Sequence, residues 1–382
     1  MRAKDLSGLL RDGDRIAVSN ITGREASGVS VISQAYAGNI VGGWALGKGG
    51  MQIKCPRGSD IPVFADCETM MKSLPAEKHP NKVIIYSPPA AVYGDFKETI
   101  THGGGTVETI FVITEHVSVE VSAKIAQLAR EANIDVLGCN TLGIVNVHDH
   151  VRVGAVGGDE PAESFAPGSA SIFSNSGNMV NTIASSLLSA GIGTSFGVST
   201  GKDMLILTPL ADLLALAEAD EKTRIVVLYI EPGGLYEHKA IELARAGGFT
   251  KPIVVYVGGR NLDGMNISLG HAGAVVEGEG STAAAKAKAF DDYFGAKPFD
   301  VERRYRSTND LSACLQRGIR VRSLHDIPAA VQLVYRVLNL PRDHRIETKN
   351  ALNPWFVNLQ DLGKSLPQRL VLMPGKIPQP WG

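Results

Sequence analysis

Charge of one sign is what this chain lacks most plainly. Its 38 Lys and Arg against 39 Asp and Glu leave a formal net charge of −1 at pH 7. That balance marks no polyanionic partner, so neither nucleic acid nor an anionic membrane surface is expected. Long apolar runs are missing too. No stretch approaches the ~18 apolar residues of a membrane span, and Met1-Arg2-Ala3-Lys4-Asp5 leads into no apolar signal core. The expected location is the cytoplasm. Cysteine is scarce: Cys55, Cys67, Cys139 and Cys314 show neither a C-x-x-C pair nor metal-ligand spacing. They read as reduced structural thiols, and no metal site is expected. Aromatic residues are only 6% of the chain, whereas glycine numbers 42. That mix suits tight turns beside bound ligands in an α/β protein. At 382 residues the chain is long enough for two domains and an extension.

What is present alternates regularly. Arg15–Asn20 reads as a first strand and ends at Ile21-Thr22-Gly23-Arg24-Glu25, before a helix through Ala35. A strand, a glycine turn and a helix serve either as a plain structural turn or as a phosphate-binding corner, where free N–H groups meet the ligand. Ile40–Trp44 is a second strand, followed by Leu46-Gly47-Lys48-Gly49-Gly50. Lys48 is either a solvated loop lysine or a phosphate contact. Further strands end at Ser87-Pro88-Pro89, at Thr114-Glu115-His116 and at Cys139-Asn140, with helices between them. Such alternation is the signature of a parallel sheet with covering helices. Ligands bind such sheets beyond the carboxyl ends of the strands. Thr22, Lys48, Pro88, Glu115 and Asn140 all fall on that edge.

Residues 147–166 are turn-rich and weakly periodic, and read as a domain linker. A second α/β unit follows. The strand Ser169–Phe173 runs into Ser174-Asn175-Ser176-Gly177-Asn178 and a helix, either a plain N-cap or a second anion-binding corner. Other strands lead to Thr200-Gly201-Lys202-Asp203, to Glu231-Pro232-Gly233-Gly234 and, after Pro252–Gly259, to Ser268-Leu269-Gly270-His271-Ala272-Gly273-Ala274. A histidine between glycines is either an inert loop residue or a group left open to approach. Glu231 on a neighbouring strand end would orient the imidazole and fix its tautomer.

Taken together, these motifs resemble the α subunit of succinyl-CoA synthetase and the matching part of ATP-citrate lyase. The resemblance covers residues 15 to 290 and resumes near Arg322-Ser323-Leu324. It rests on Thr22-Gly23, Val41-Gly42-Gly43 with Gly47-Lys48-Gly49-Gly50, Thr114-Glu115, Ser174-Asn175-Ser176-Gly177, Glu231 before Gly233-Gly234, and Gly270-His271-Ala272-Gly273-Ala274. It implies a Rossmann-like CoA-binding domain over 1–147, a flavodoxin-like ligase domain over 165–340 and a C-terminal tail over 341–382. It implies that His271 is phosphorylated by ATP, that the phosphate passes to a carboxylic acid, and that CoA displaces it from the acyl phosphate. Glu231 is then the partner of His271. Thr22, Gly23, Arg24, Glu25, Lys48, Thr114, Glu115 and His116 match CoA-binding positions, with Pro88 and Asn140 on the same edge. Ser176, Gly177 and Asn178 match the turn that cradles the phosphohistidine. The ATP-grasp nucleotide site and Mg²⁺ belong to a partner β chain, in a heterodimer or heterotetramer.

The chain departs from the family at several positions. Arg24-Glu25 stand for a small and an amide residue, and His116 stands for a glycine. The family's S-R-S-G has Asn175 for its arginine, and Asn181 replaces a tyrosine. The family's G-G-D-x-x-x-G reads Gly201-Lys202-Asp203-Met204-Leu205-Ile206-Leu207. Asn181, Gly201 and Lys202 are substrate-side positions. The expected substrate is therefore a small acid with a second anionic group that Lys202 helps neutralise: sulfoacetate, malate, citrate or a succinate-like acid. Alternatives are a non-catalytic or regulatory CoA-binding protein of the same fold, and the ligase part of a citrate-cleaving enzyme. No citrate-synthase-like helical domain follows residue 340, which weighs against the last. An insertion over 289–315 with the charge run Asp300–Arg306, and the Pro-rich tail with Trp355 and Trp381, are read either as solvated or packed segments or as partner contacts.

Overall fold

The computed structural model describes residues 1–259, 278–301 and 315–344. Within them the alternation becomes two seven-stranded sheets. The first sheet contains β1 (Ile16–Ser19), β2 (Ile40–Trp44), β3 (Gln52–Ile53), β4 (Ile61–Phe64), β5 (Lys82–Ile85), β6 (Thr109–Val112) and β7 (Asp135–Leu137), in the order β3-β4-β2-β1-β5-β6-β7. Only β3 and β4 pair antiparallel. The helices α1 (Arg24–Ala37), α2 (Cys67–Ser73), α3 (Val92–His102) and α4 (Val119–Glu131) alternate with its parallel strands.

The second sheet contains β8 (Gly143–Asn146), β9 (Val151–Gly154), β10 (Pro167–Ser174), β11 (Thr194–Ser199), β12 (Ile225–Ile230), β13 (Ile253–Val257) and β14 (Gly318–Val321). Its order is β14-β13-β12-β10-β11-β8-β9, parallel from β14 to β11 and antiparallel beyond. The helices here are α5 (Pro161–Ser164), α6 (Gly177–Ser189), α7 (Leu210–Ala219), α8 (Tyr236–Arg245), α9 (Ala283–Phe294) and α10 (Ile327–Val337).

The reasons are local. A parallel strand covered on both faces must be apolar throughout, and Ile225-Val226-Val227-Leu228 is buried at every residue. The helices are one-sided. In α4, Ser122, Ile125 and Ala129 recur at helical spacing and are the buried residues, while Ser118 caps the helix by accepting the Val121 N–H at 3.2 Å. In β2, Gly43 lets β1 come close: a Cβ there would lie 2.5 Å from the Val18 carbonyl oxygen. Each sheet has a strand from which the order runs both ways, β1 in the first and β10 in the second. A crevice opens at the carboxyl end beside such a strand.

The stretch 147–166, expected to be a linker, carries β9 and α5. Arg152 interrupts the apolar run of β9 and hides it in the sequence. That guanidinium is fully buried, with Nε donating to Ser33 Oγ of α1 at 2.9 Å and Nη1 to the Gly158 carbonyl at 2.6 Å. The edge strand β9 is therefore fastened to the first sheet's helix layer. One apolar core runs through both halves, joining Ile84, Phe111 and Leu137 of the first sheet to Phe173, Phe196 and Leu228 of the second, with Leu213 of α7. Burial of each such side chain contributes roughly 1.5–3 kcal/mol. Met1–His344 accordingly form one compact unit. No helix among the described residues is long and apolar enough to cross a membrane.

Candidate functional site

The carboxyl ends of the two sheets border one cavity of about 550 Å³. The first sheet supplies its wall from three strand ends: Tyr86 to Pro89 after β5, Ile113 to His116 after β6, and Asn140 to Leu142 after β7, with Glu25 from the first turn of α1. The second sheet supplies Ser199 at the end of β11 and Ser176, Gly177 and Asn178 at the start of α6. Of the residues expected from the sequence, Glu25, Pro88, Thr114, Glu115, His116, Asn140, Ser176, Gly177 and Asn178 are thus brought together.

The wall is knitted by short polar contacts. Thr114 Oγ1 donates to the Ser87 carbonyl at 2.6 Å. Ser87 also bonds Ser19 Oγ at 3.1 Å and the Asp95 carboxylate. Thr141 Oγ1 donates to the Ser199 carbonyl at 2.5 Å, and the Leu142 N–H donates to Ser199 Oγ at 3.0 Å. His116 and Asn140 adopt φ of 60° and 61°, in the left-handed region that asparagine and histidine tolerate better than most side chains. The Tyr86 hydroxyl is buried without a hydrogen-bond partner among the described residues, and burial pushes its phenol above the ordinary value.

Ser176 stands at the N-cap of α6, yet its side chain makes no capping hydrogen bond. Its own carbonyl instead accepts Ser174 Oγ at 2.6 Å. The positive end of a thirteen-residue helix therefore meets the cavity without a cap from the Ser176 side chain. That arrangement suits an anion.

Other expected residues lie elsewhere. Thr22 and Gly23 form the turn after β1, with the Gly23 N–H donating to the Asn20 carbonyl at 3.0 Å, and Arg24 is exposed at the start of α1. Lys48 is exposed on the turn after β2. Asn181 accepts the Gly157 N–H at 2.8 Å on its side-chain oxygen. Gly201 has φ of 78°, and a Cβ there would lie 2.2 Å from the Cys139 carbonyl oxygen. Lys202 is 1% exposed and donates to the Gly233 carbonyl at 2.9 Å. Burial pushes its ammonium down to about 8, opposed by the nearby Glu237 and Glu231. The Glu231 N–H donates to Asn175 Oδ1 at 2.9 Å, and its carbonyl accepts Lys286 Nζ at 2.8 Å. His271 lies outside the described residues, as does the rest of Gly270–Ala274. The strand before it, β13, pairs Val257 with Ile230, so the chain leaves β13 beside Glu231.

Sequence reasoning missed Tyr86, Ser87, Thr141 and Ser199 in the cavity, Asp203 bonded to its wall at Asn140, and Glu237 and Lys286 at the Glu231 turn. Serine and threonine at strand ends give no periodic signal. Lys286 and Glu237 look like surface charges in a helical pattern until packing buries them.

The geometry has relatives. Residues 167–289 match the model of the succinyl-CoA ligase like flavodoxin domain. A succinate–CoA ligase [ADP-forming] subunit alpha 1 from Archaeoglobus fulgidus is 31% identical over 288 residues, 75% of this chain and 92% of that protein. The ADP-forming sulfoacetate-CoA ligase subunit SauD of Bilophila wadsworthia is 27% identical over 288 residues, covering 74% of this chain and 92% of its own. Among solved structures, ATP citrate lyase from Methanothrix soehngenii in complex with citrate and coenzyme A shares the fold, with a TM-score of 0.70 and 21% identity. That likeness covers 87% of this chain, which spans about half, 51%, of the lyase chain. With two sheets of the expected kind, this cavity and a relative of that identity and coverage, the chain belongs to the succinyl-CoA synthetase α-subunit family of ADP-forming CoA ligases.

Proposed function

We propose that this chain is the α-type subunit of an ADP-forming acid–CoA ligase that works through a phosphohistidine at His271 and an acyl phosphate. The observation that carries the reading is the cavity where both sheets end. It has the helix N-terminus at Ser176-Gly177-Asn178, where the Ser176 side chain makes no cap, on one side and the strand ends Pro88, Thr114-Glu115-His116 and Asn140 on the other. A site for a phosphoryl group and a site for a thiol substrate thus share one space. The curated relatives are ligase subunits, and nothing favours the regulatory alternative.

In this reading His271 attacks the terminal phosphorus of ATP. An N–P bond forms as the P–O bond to ADP breaks. The start of α6 offers backbone N–H groups to the phosphoryl oxygens, and the Glu231 carboxylate accepts the other ring N–H, fixing the tautomer. A carboxylate oxygen of the acid then takes the phosphoryl group from nitrogen. CoA supplies the thiol that displaces phosphate. For CoA, the turn at Thr22-Gly23-Arg24-Glu25, Lys48 and the strand ends at Pro88, Thr114, Glu115, His116 and Asn140 are the holding positions. ATP and Mg²⁺ come with an ATP-grasp β subunit, in a heterodimer or heterotetramer.

The test combines the chain with an ATP-competent β partner and labelled ATP. Acid-labile, base-stable label on the chain, lost in His271→Ala, supports the reading. An unlabelled wild-type chain beside a partner shown to bind ATP overturns it. A panel of succinate, malate, sulfoacetate and citrate with CoA then identifies the acid.

A further inference from the structure

A second polar centre lies beneath the turn that carries Glu231. This turn, residues 231–234, joins β12 to α8, and its backbone is held from four other segments, the Gly233 N–H donating to the Ser281 carbonyl at 2.8 Å. Asn175, at the end of β10, accepts the Glu231 N–H at 2.9 Å. Lys286 of α9 donates to the carbonyls of Glu231 at 2.8 Å and Gly233 at 2.6 Å. Lys202, from the loop after β11, donates to the same Gly233 carbonyl at 2.9 Å. Glu237 of α8 pairs with Lys286 at 2.7 Å, the two side chains being 2% and 0% exposed.

Two buried ammonium groups therefore share one buried carboxylate. Burying a charge is costly unless it is paired, and neutral donors would suffice merely to close a turn. The surplus positive charge lies close to Glu231, which favours the charged form of Lys202. We infer that Lys202, acting with Lys286, is a positioning residue for phosphoryl transfer. It fixes the Glu231 turn through the Gly233 carbonyl, and it sets a positive charge near the Glu231 carboxylate. This rests on the ligase reading above. A carboxylate held in place orients the imidazole, leaves the lone pair of one ring nitrogen for phosphorus, and offsets the positive charge the ring gains as the N–P bond forms.

The charged groups facing Lys202 are Glu237 from α8, Lys286 from α9 and Glu231 from the turn. Burial outweighs the two carboxylates, so its proton leaves near pH 8. The inference thus carries an alkaline limb that belongs to Lys202.

The experiment compares wild type, Lys202→Met and Lys202→Arg, each as the full chain with its partner. At neutral pH the single-turnover rate of histidine labelling is expected to fall about tenfold or more in Lys202→Met, with KM for acid and CoA changed less than about twofold. Lys202→Arg is expected to restore the rate to within about threefold, and to remove the fall expected of wild type as pH rises past about 8. Labelling of Lys202→Met at the wild-type rate overturns the inference. So does an alkaline limb that persists in Lys202→Arg, or a raised KM for the acid at unchanged kcat. If Lys202→Met does not fold, the pH profiles of wild type and Lys202→Arg decide. If wild type itself takes no label, the ligase reading fails instead. Amide exchange across 231–234 then tests the positioning alone: acceleration by about tenfold in Lys202→Met supports it, and unchanged exchange overturns it.

Discussion

Asn140, at the end of the first sheet, donates from its side-chain nitrogen to Asp203 Oδ1 of the second half at 3.2 Å. The other carboxylate oxygen accepts the Val117 N–H at 3.3 Å. One buried aspartate thus ties two cavity-wall loops of the first half to the loop that carries Lys202. Asp203→Ala is expected to lower stability by roughly 1–3 kcal/mol, because it leaves buried partners unpaired. Thermal and chemical denaturation measure the loss, and CoA affinity is expected to fall with it.

The same residue has a pH signature. Burial raises the Asp203 carboxyl above its ordinary 3.8, against the hydrogen bonds that favour the ionised form. A carboxyl raised on folding binds its proton more tightly in the native state. Its contribution to stability is therefore complete below 3.8 and is lost as pH rises through the folded value. The stability of wild type minus that of Asp203→Asn should fall over that window in denaturant titrations. A difference that rises with pH refutes the assignment.

Gly201 tests the backbone path beneath Lys202. Its φ of 78° and the 2.2 Å approach of a virtual Cβ to the Cys139 carbonyl oxygen leave no room for a side chain. Gly201→Ala is expected to cost about 1–3 kcal/mol from conformation alone, and more from the clash. A melting temperature equal to that of wild type would contradict this.

Thiol reactivity offers a simpler check. Cys67 and Cys139 are buried, and burial first, with nearby carboxylates, pushes both thiols up to about 12. Neither should react with a disulfide reagent in the native protein at mildly alkaline pH, and both should react once it unfolds. Peptide mapping of the modified sites reads the result.

Lys202 links stability to pH in the opposite sense from Asp203. Its ammonium falls from 10.5 to about 8 on folding, so between these values the unfolded chain binds more protons. Stability from this group therefore rises with pH across that window, by about 3 kcal/mol in order of magnitude. The wild type minus Lys202→Met difference, measured by chemical denaturation, should rise accordingly.

The parallel sheets were readable because their strands are unbroken apolar runs, as in Ile225-Val226-Val227-Leu228, between polar strand ends. Those ends also disclosed part of the cavity wall, from Pro88 to Asn140. The β8–β9 hairpin was not readable, since Arg152 sits in a strand and looks like a surface charge. Lys202 was read as facing a substrate, because it stands in the family's G-G-D-x-x-x-G stretch on the substrate side. Its burial follows from α8 and α9 packing over the turn, which no local pattern announces. The family motifs supplied His271 and Glu231, whereas of the residues that hold the Glu231 turn, Asn175 departs from its motif and Lys286 matches none.

The apolar core that joins Phe111 and Leu137 to Phe173 and Phe196 has a consequence for inheritance. Either half made alone would bare an aromatic face to water. The two halves can therefore diverge only as a pair, and recombination between relatives should survive where both sheets come from the same parent. Exchange of substrate preference is then expected to proceed by replacing cavity-edge residues one at a time, with the joined sheets kept as the unit of descent.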